Sequence, residues 1–399
     1  MTKIKVLEAK MKIKELTLKN VGNVTDLSLQ FNTNMNVICG SNGIGKTTIL
    51  KSILALFELR DGSLKKKYGT DSGVIVGKTF NDETRQVEIT SVSPQETNDN
   101  YGNGDIFLEN TNSVYYVPDS RSLKYKNLDS LKRYPPRKFS GYNQRDFLEN
   151  NVADNLKNWL INQLISDGMN GNGVELSENE LFNIKQMRRA FSVIDKNIEY
   201  KKIDFHDYEI LLNDNNNEVF LEFESTGFKN VLFIIMGIIA EIEERFRDIR
   251  INDFDGIILI DEIDAHLHPT WQNKIIDILK EMFSKAQFII TTHSPAVLQS
   301  LNREEIIPLY LQDKEVTIKT LNLSEYGLKG WTLEEILSDV MGVGELKNKI
   351  LRESLDLFSS ALDQKNIEQA KLEYEKLNQM LHPQSTLRQI LDIQKAGLF

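Results

Sequence analysis

The stretch Gly40-Ser41-Asn42-Gly43-Ile44-Gly45-Lys46-Thr47-Thr48 fits the pattern G-x-x-x-x-G-K-[ST], and its neighbours decide the fold. Before it, Asn36-Val37-Ile38-Cys39 reads as a short buried strand; after it, the residues from Thr48 to Phe57 read as a helix with one apolar face. A glycine-rich turn between strand and helix aims several backbone N–H groups and a helix N-terminus into one small space, which makes an anion site. Gly40, Asn42, Gly43, Gly45 and Thr48 are expected to line it. Lys46 is placed to reach the β- and γ-phosphates of a nucleoside triphosphate, and the Thr47 hydroxyl to ligate Mg²⁺.

Composition sets the frame for that loop. The chain has 399 residues, 40% hydrophobic and 27% charged, which suits a soluble globular protein of two or three domains. The most apolar run, Val231 to Ala240, falls short of the ~18 residues of a membrane helix and leads into Glu241, Glu243 and Glu244. No signal peptide is read at the N-terminus. The one cysteine, Cys39, forms no internal disulfide and fits a reducing cytoplasm, where it serves as a small apolar residue ending a strand. A net charge of −10 argues against uniform coating of nucleic acid but leaves room for a local basic patch.

Downstream, Leu259-Ile260-Asp261-Glu262 is a strand ending in two adjacent carboxylates. Asp261 is placed to hold Mg²⁺, and Glu262 to orient and deprotonate an attacking water as general base. The apolar strand from Gln287 to Thr292 ends at His293, which can hydrogen-bond a γ-phosphate and sense its loss. His266 and His268 near Asp264 lack a third ligand with zinc spacing. Ser225-Thr226-Gly227 opens a dense apolar helix from about 228 to 246, so a hydroxyl, a glycine N–H and a helix N-terminus coincide there.

Around these motifs, residues 12–31 read as two strands joined through Asn20 to Asn23, and Val74–Val76, Val87–Ile89 and Ser113–Val117 as further short strands. Helices are expected at about 144–168 and 177–195, and a strand at 218–223 after the Asp214 to Asn217 turn. The runs 256–260 and 286–290 read as parallel strands covered on both faces. A helical hairpin of about 345–362 and 366–381 turns at Asp363 to Asn366.

In this order, Gly40 to Thr48, Ser225 to Gly227, Asp261-Glu262, Asp264 to Pro269 and His293 resemble the head of the ATP-binding-cassette ATPases, in the SMC, RecF and OLD branch. The resemblance covers residues 11–60 and 218–310. It implies an α/β fold: an ABC-type ATPase head with a mixed sheet and a P-loop (11–60 and 218–329), an inserted α/β-helical lobe (61–217) and a C-terminal helical tail (330–399). It implies a slow, Mg²⁺-dependent ATPase in which Lys46 and Thr47 bind phosphate and metal, Asp261 supports Mg²⁺, Glu262 is the base and His293 the switch. Ser225 and Gly227 then complete the nucleotide site of the opposite subunit, so the active form is a homodimer or higher oligomer around ATP. The signature departs from Leu-Ser-Gly-Gly-Gln, and Gln86 and Gln95 are weak candidates for a Q-loop.

The lobe has no sustained heptads, which excludes a long-armed SMC protein. No D-x-D pair follows His293 and no His-Asn-His signature occurs, so the head is expected to work through a partner. Gly330 to Met341 and the hairpin after it resemble antiphage ATPases of the Septu type, which pair with a separate HNH nuclease. The leading expectation is an antiviral defence ATPase controlling such a subunit; the alternative is a RecF-like DNA-binding repair or recombination ATPase. Arg121, Lys124, Lys126, Lys132, Arg133, Arg137, Lys138 and Arg145, with Tyr125, Tyr134, Phe139 and Tyr142 between them and only Asp129 opposing, form a mixture suited to phosphate contact and base stacking, or to a solvated loop.

Overall fold

In the computed structural model the described residues are 12–57, 63–93, 110–119, 152–246, 248–342 and 349–396, with isolated positions between them. The chain divides into two compact units, Met1–Gly342 and Val343–Phe399.

The first unit begins with β1 (Ile13–Val21) and β2 (Val24–Gln30), whose alternating residues bury Leu16, Leu18, Leu27 and Leu29 on one face. They pair antiparallel, Leu16 opposite Leu29. Then come β3 (Met35–Cys39), the glycine loop and α1 (Lys46–Leu56). After α1, β4 (Gly73–Thr79) and β5 (Thr84–Ile89) extend the first sheet in the order β2-β1-β4-β5. Sequence reading places these two strands in the inserted lobe; β4 pairs with β1 and β5 with β4. α1 lies against β4, where a Cβ on Gly77 would stand 2.2 Å from Leu56 Cδ1.

A second sheet carries the site. Its order is β13-β12-β3-β11-β10-β6, built from β6 (Val114–Val117), β10 (Ile257–Ile260), β11 (Gln287–Thr292), β12 (Ile306–Gln312) and β13 (Glu315–Ile318) around β3. The ladders β6/β10, β10/β11, β11/β3 and β3/β12 are all parallel. Every residue of β3, β10 and β11 is buried, as unbroken apolar runs in a doubly covered sheet require. Two buried amides fasten the layers. Gln287 Nε2 donates to Ile13 O (2.7 Å) and Asn32 O (2.8 Å) while Oε1 accepts from Ile13 N (2.9 Å). Asn36 Nδ2 donates to Phe288 O and Asn32 O, both at 3.0 Å.

A three-stranded meander, β7 (Ile198–Asp204), β8 (Glu209–Asp214) and β9 (Asn217–Phe220), sits beside α2 (Val152–Gly168) and α3 (Glu178–Ile194). β7 escapes sequence reading because Lys201 and Lys202 hide the alternation, and β8 because its short buried run Ile210-Leu211-Leu212 does not alternate. The expected strand at 218–223 stops at Phe220 and tightens into a 3₁₀ turn, Leu221–Phe223. The long helix α4 (Thr226–Arg245) follows, buried almost throughout. The described part of the helix expected at 144–168 starts at Val152.

The remaining elements of this unit are α5 (Pro269–Gln272), α6 (Ile275–Met282), α7 (Pro295–Gln299) and α8 (Leu333–Glu335), the last continuing into a π turn, Ile336–Val340. Residues 330–342 belong with this unit: Gln299 Nε2 donates to Trp331 O (2.7 Å) and Ile336 is buried. The second unit holds α9 (Lys349–Asp363), α10 (Ile367–Met380) and α11 (Thr386–Ala396) around Phe358, Ala361, Ala370, Leu377 and Leu391. Among the described residues no helix is long and apolar enough to cross a membrane. The basic, aromatic stretch 121–145 lies outside the described residues except for Leu128, Ser130 and Leu131.

One packing detail is testable by pH. Burial between α2, α3 and α4 pushes the Glu243 carboxyl from its ordinary 4.5 up to about 7, with Glu180 and Glu244 adding to the rise and Asn183 opposing it. Gln163 Nε2 donates to Glu243 Oε2 (3.2 Å). A raised carboxyl binds more protons folded than unfolded, so stability falls as pH climbs through the window from 4.5 to about 7. Glu243→Gln is expected to flatten that slope and to gain on the order of 1–3 kcal/mol above it, measured by urea unfolding at stepped pH.

Candidate nucleotide site

Parallel strands end on the same side, so β3, β10 and β11 deliver Gly40, Asp261 and His293 to one edge. The loop leaving β3 needs its glycines: Gly40 has φ +145°, and a Cβ there would meet Leu309 O at 2.6 Å. Gly43 (φ +72°) faces open space, while its carbonyl accepts from Asn23 Nδ2 at 2.9 Å. Gly45, in the left-handed region, precedes α1, whose first residues are Lys46, Thr47 and Thr48.

Lys46 is only 5% exposed. Its ammonium donates to Gly40 O (2.9 Å), Ser41 O (3.0 Å) and His293 Nδ1 (3.4 Å), and among the described residues no carboxylate lies within ion-pair distance of it. Burial lowers its pKa, against the pull of Cys39, Glu262, Asp261 and Asp264. Cys39, sealed beneath the loop, has its thiol pushed up to about 12 by burial, in keeping with a packing role.

Asp261 is 1% exposed, and both its oxygens are engaged. Thr291 Oγ1 donates to Oδ1 (2.5 Å) and Tyr116 Oη to Oδ2 (3.3 Å). The same Thr291 hydroxyl accepts from Glu262 N (2.8 Å). Glu262 adopts φ +47°, a left-handed conformation costly for a residue with a side chain and concentrated at functional sites. Its Oε1 lies 3.3 Å from His293 Nε2. With the Lys46 ammonium donating to Nδ1, the imidazole carries its proton on Nε2 and turns it toward Glu262. Burial, and then Lys46, lower the His293 pKa against the nearby carboxylates, favouring this neutral form.

Sequence reading includes Asp264 in the Asp264 to Pro269 motif and Thr291 and Thr292 in the strand before His293, without giving them or Gln272 a role of their own, and these residues order the edge. Asp264 Oδ1 accepts from Thr292 Oγ1 (2.5 Å) and His293 N (3.1 Å), fixing the end of β11. Gln272 Nε2 donates to Leu267 O (2.8 Å), and Ser294 Oγ donates to Gln272 Oε1 (2.7 Å). From α4, Asn230 Nδ2 donates to His266 O (2.8 Å). The segment 264–268 is thus held between the helix that begins at Ser225 and the turn that begins at His293. Only the D-x-H-x-H-P spelling of Asp264 to Pro269 hinted at this. His268 caps α5, accepting from Thr270 N (3.4 Å). Among the described residues no group of His, Cys, Asp and Glu could hold a metal by itself.

Ser225 and Gly227 stand at the start of α4. The exposed Ser225 Oγ accepts from Phe228 N (3.2 Å) as the helix cap. A Cβ on Gly227 would lie 2.2 Å from Trp271 Cδ1, so the indole of α5 lies over the glycine. Of the two Q-loop candidates, Gln86 is an exposed residue within β5, and Gln95 lies outside the described residues.

The residues present fit a nucleotide and its metal. A buried ammonium with no carboxylate partner among the described residues suits a phosphate, and a buried carboxylate at the end of β10 suits a hydrated divalent cation beside Thr47.

A family model and curated relatives match most of the chain. A family model described as "AAA domain, putative AbiEii toxin, Type IV TA system" matches residues 35–299. Septu protein PtuA of Bacillus thuringiensis is 36% identical over 96% of this chain and 98% of its own length. Septu protein PtuA of Bacillus mycoides is 27% identical over 82% of this chain, which spans 44% of that longer protein. Among solved structures, the SMC head domain from Thermotoga maritima is 15% identical, with a TM-score of 0.41, over 78% of this chain and 100% of that one.

Gly227→Ala is expected to destabilise the protein by about 1–3 kcal/mol through overpacking. Trp271→Leu in the same chain should recover part of that loss, read as a coupling energy in a denaturant double-mutant cycle.

Proposed function

The chain belongs to the AAA-domain family matched over residues 35–299 and to the Septu PtuA proteins, and from that premise we propose an ATP-controlled assembly switch that governs a separate effector nuclease. It is an ATPase of antiphage defence with an α/β head of the SMC and ABC type. The finer reading is that two heads pair around two ATP molecules in the cytoplasm, and that the C-terminal helical region docks an HNH-type nuclease subunit.

One observation supports the catalytic half of this reading above all. A single imidazole, His293, touches Lys46 on one side and Glu262 on the other, at 3.4 and 3.3 Å. Phosphate-binding cation, sensor and base therefore form one contact row. On nucleotide binding, Lys46 exchanges the Gly40 and Ser41 carbonyls for β- and γ-phosphate oxygens, and the loop N–H groups take the remaining charge. Glu262 then orients a water for in-line attack and accepts its proton. His293, neutral, is left to donate to the γ-phosphate or to Glu262, and so reports whether the phosphate is present. Thr47 and Asp261 would hold Mg²⁺, which supplies charge neutralisation across the β- and γ-phosphates.

The pairing half is supported by the start of α4, where the exposed Ser225 hydroxyl caps its own helix within the subunit while Gly227 lies beneath Trp271. An exposed hydroxyl and helix N-terminus suit the γ-phosphate carried by a second copy. The network through Asn230, His266, Leu267, Gln272 and Ser294 supplies a route from that surface to His293.

Lys46→Ala is expected to abolish ATP binding in calorimetry; unchanged affinity refutes the assignment of the loop. Glu262→Gln should bind ATP normally, slow hydrolysis by ~10²–10⁴-fold and accumulate a nucleotide-dependent dimer in light scattering; a strictly monomeric variant at saturating ATP-Mg²⁺ rules out paired heads. Ser225→Arg should bind ATP yet stay unpaired, and mixing it with the Lys46→Ala protein should restore at most one composite site per dimer.

A further inference from the structure

Asp261 takes its hydrogen bonds from both neighbouring strands. On the β11 side Thr291 Oγ1 donates to Oδ1 (2.5 Å); on the β6 side Tyr116 Oη donates to Oδ2 (3.3 Å). The parallel register sets Tyr116 against Leu259 and Val117 against Ile260, and the ladder continues as Asp261 N donates to Val117 O (2.9 Å). That register brings the phenol of β6 level with the carboxylate just beyond β10. We propose that Tyr116 is a positioning residue that holds Asp261 in the one orientation able to carry the divalent cation. The proposal rests on the assignment of Asp261 to the metal.

The physical argument is one of freedom. The terminal torsion of an aspartate is broad, so burial alone does not fix the plane of the carboxylate relative to the phosphate loop. Each carboxylate oxygen has two acceptor positions, and here one on each is taken by a hydroxyl from a different strand. Two hydroxyls on opposite sides define the plane, and each oxygen keeps a lone pair for a metal or a metal-bound water. Without the Tyr116 hydroxyl, Thr291 becomes a single pivot.

β6 is itself anchored in a way that suits this task. Arg245, at the end of α4, donates from Nη1 to Val114 O (2.5 Å) and Asn112 O (3.4 Å). Its Nη2 pairs with Glu241 at 2.6 Å, both side chains 4% exposed, and its guanidinium lies 5.4 Å from the Tyr115 ring centroid. Adjacent residues of a strand point to opposite faces. Tyr115 therefore packs toward α4 while Tyr116 turns to the face of the phosphate loop, where it packs against the apolar cluster that includes Ile49 and Ile53 of α1. The strand behind the hydroxyl is clamped by a buried ion pair, which gives the phenol a fixed base.

The test uses the full chain with a non-hydrolysable ATP analogue and Mn²⁺ as the spectroscopic probe. Nucleotide-dependent Mn²⁺ affinity is read by electron paramagnetic resonance for wild type, Tyr116→Phe and Asp261→Asn. Analogue affinity in excess EDTA and the melting temperature are read alongside. Tyr116→Phe is expected to weaken Mn²⁺ by roughly 10-fold, within the range for partners that orient a metal ligand, and to leave metal-free analogue affinity unchanged. Wild-type Mn²⁺ affinity in Tyr116→Phe, with loss in Asp261→Asn, overturns the role of Tyr116 and leaves Asp261 in place. An equal loss of metal-free affinity also overturns it, because the hydroxyl would then serve the loop as a whole. Undiminished Mn²⁺ affinity in Asp261→Asn removes the underlying metal assignment and the proposal with it.

Discussion

The Lys46 ammonium lies out of water, with two carbonyls and an imidazole around it and, among the described residues, no carboxylate in ion-pair range. A buried cation without a counter-ion is costly, and the cost shows as a lowered pKa. The surrounding structure can be understood from that constraint. Gly40 and Gly43 let the loop curl around the ammonium, His293 shares it, and the acids at the end of β10 stay close enough to attract it without forming a salt bridge. An anionic ligand such as a phosphate suits a charge that folding leaves poorly compensated.

Rigidity is distributed unevenly around this centre. The strand ends are fastened by short hydroxyl-to-carboxylate bonds, Thr291 to Asp261 and Thr292 to Asp264. The strained backbone of Glu262 is retained because its N–H is satisfied by Thr291. By contrast the Glu262 side chain is partly exposed and its contact to His293 is 3.3 Å. Asp261 is nearly fully buried with a hydroxyl on each oxygen, whereas Glu262 stands at the rim of the same strand end.

How much of this was legible in advance varies with the kind of signal. The phosphate loop, the acidic pair, His293 and the parallel apolar strands were readable because each carries a local pattern: fixed glycine spacing, an apolar run, a carboxylate at its end. β7 was missed because exposed lysines break its alternation, and β8 because its short buried run Ile210-Leu211-Leu212 does not alternate. β4 and β5 were recognised as strands and assigned to the inserted lobe; that β4 pairs with β1 is a long-range event without local trace. Tyr116 was readable as a residue of the short strand Ser113–Val117, but its bond to Asp261 was not, and Gln272 was not singled out. Their importance comes from register and from a turn that folds back.

The sequence by itself determined the chemistry available to this chain: an anion loop, a cation to fill it, two carboxylates and an imidazole, in the order of an ATPase head. Those are choices of residue type at short spacing, and short spacing is what sequence records. Tertiary structure alone decided how they act together. Lys46 and Glu262 are far apart in the chain and meet through His293 only because β3, β11 and β10 run parallel and in register. Likewise Tyr116 reaches Asp261 only because β6 joins the same sheet. Hydrogen-bond geometry is satisfied in space, and no spacing along the chain specifies it.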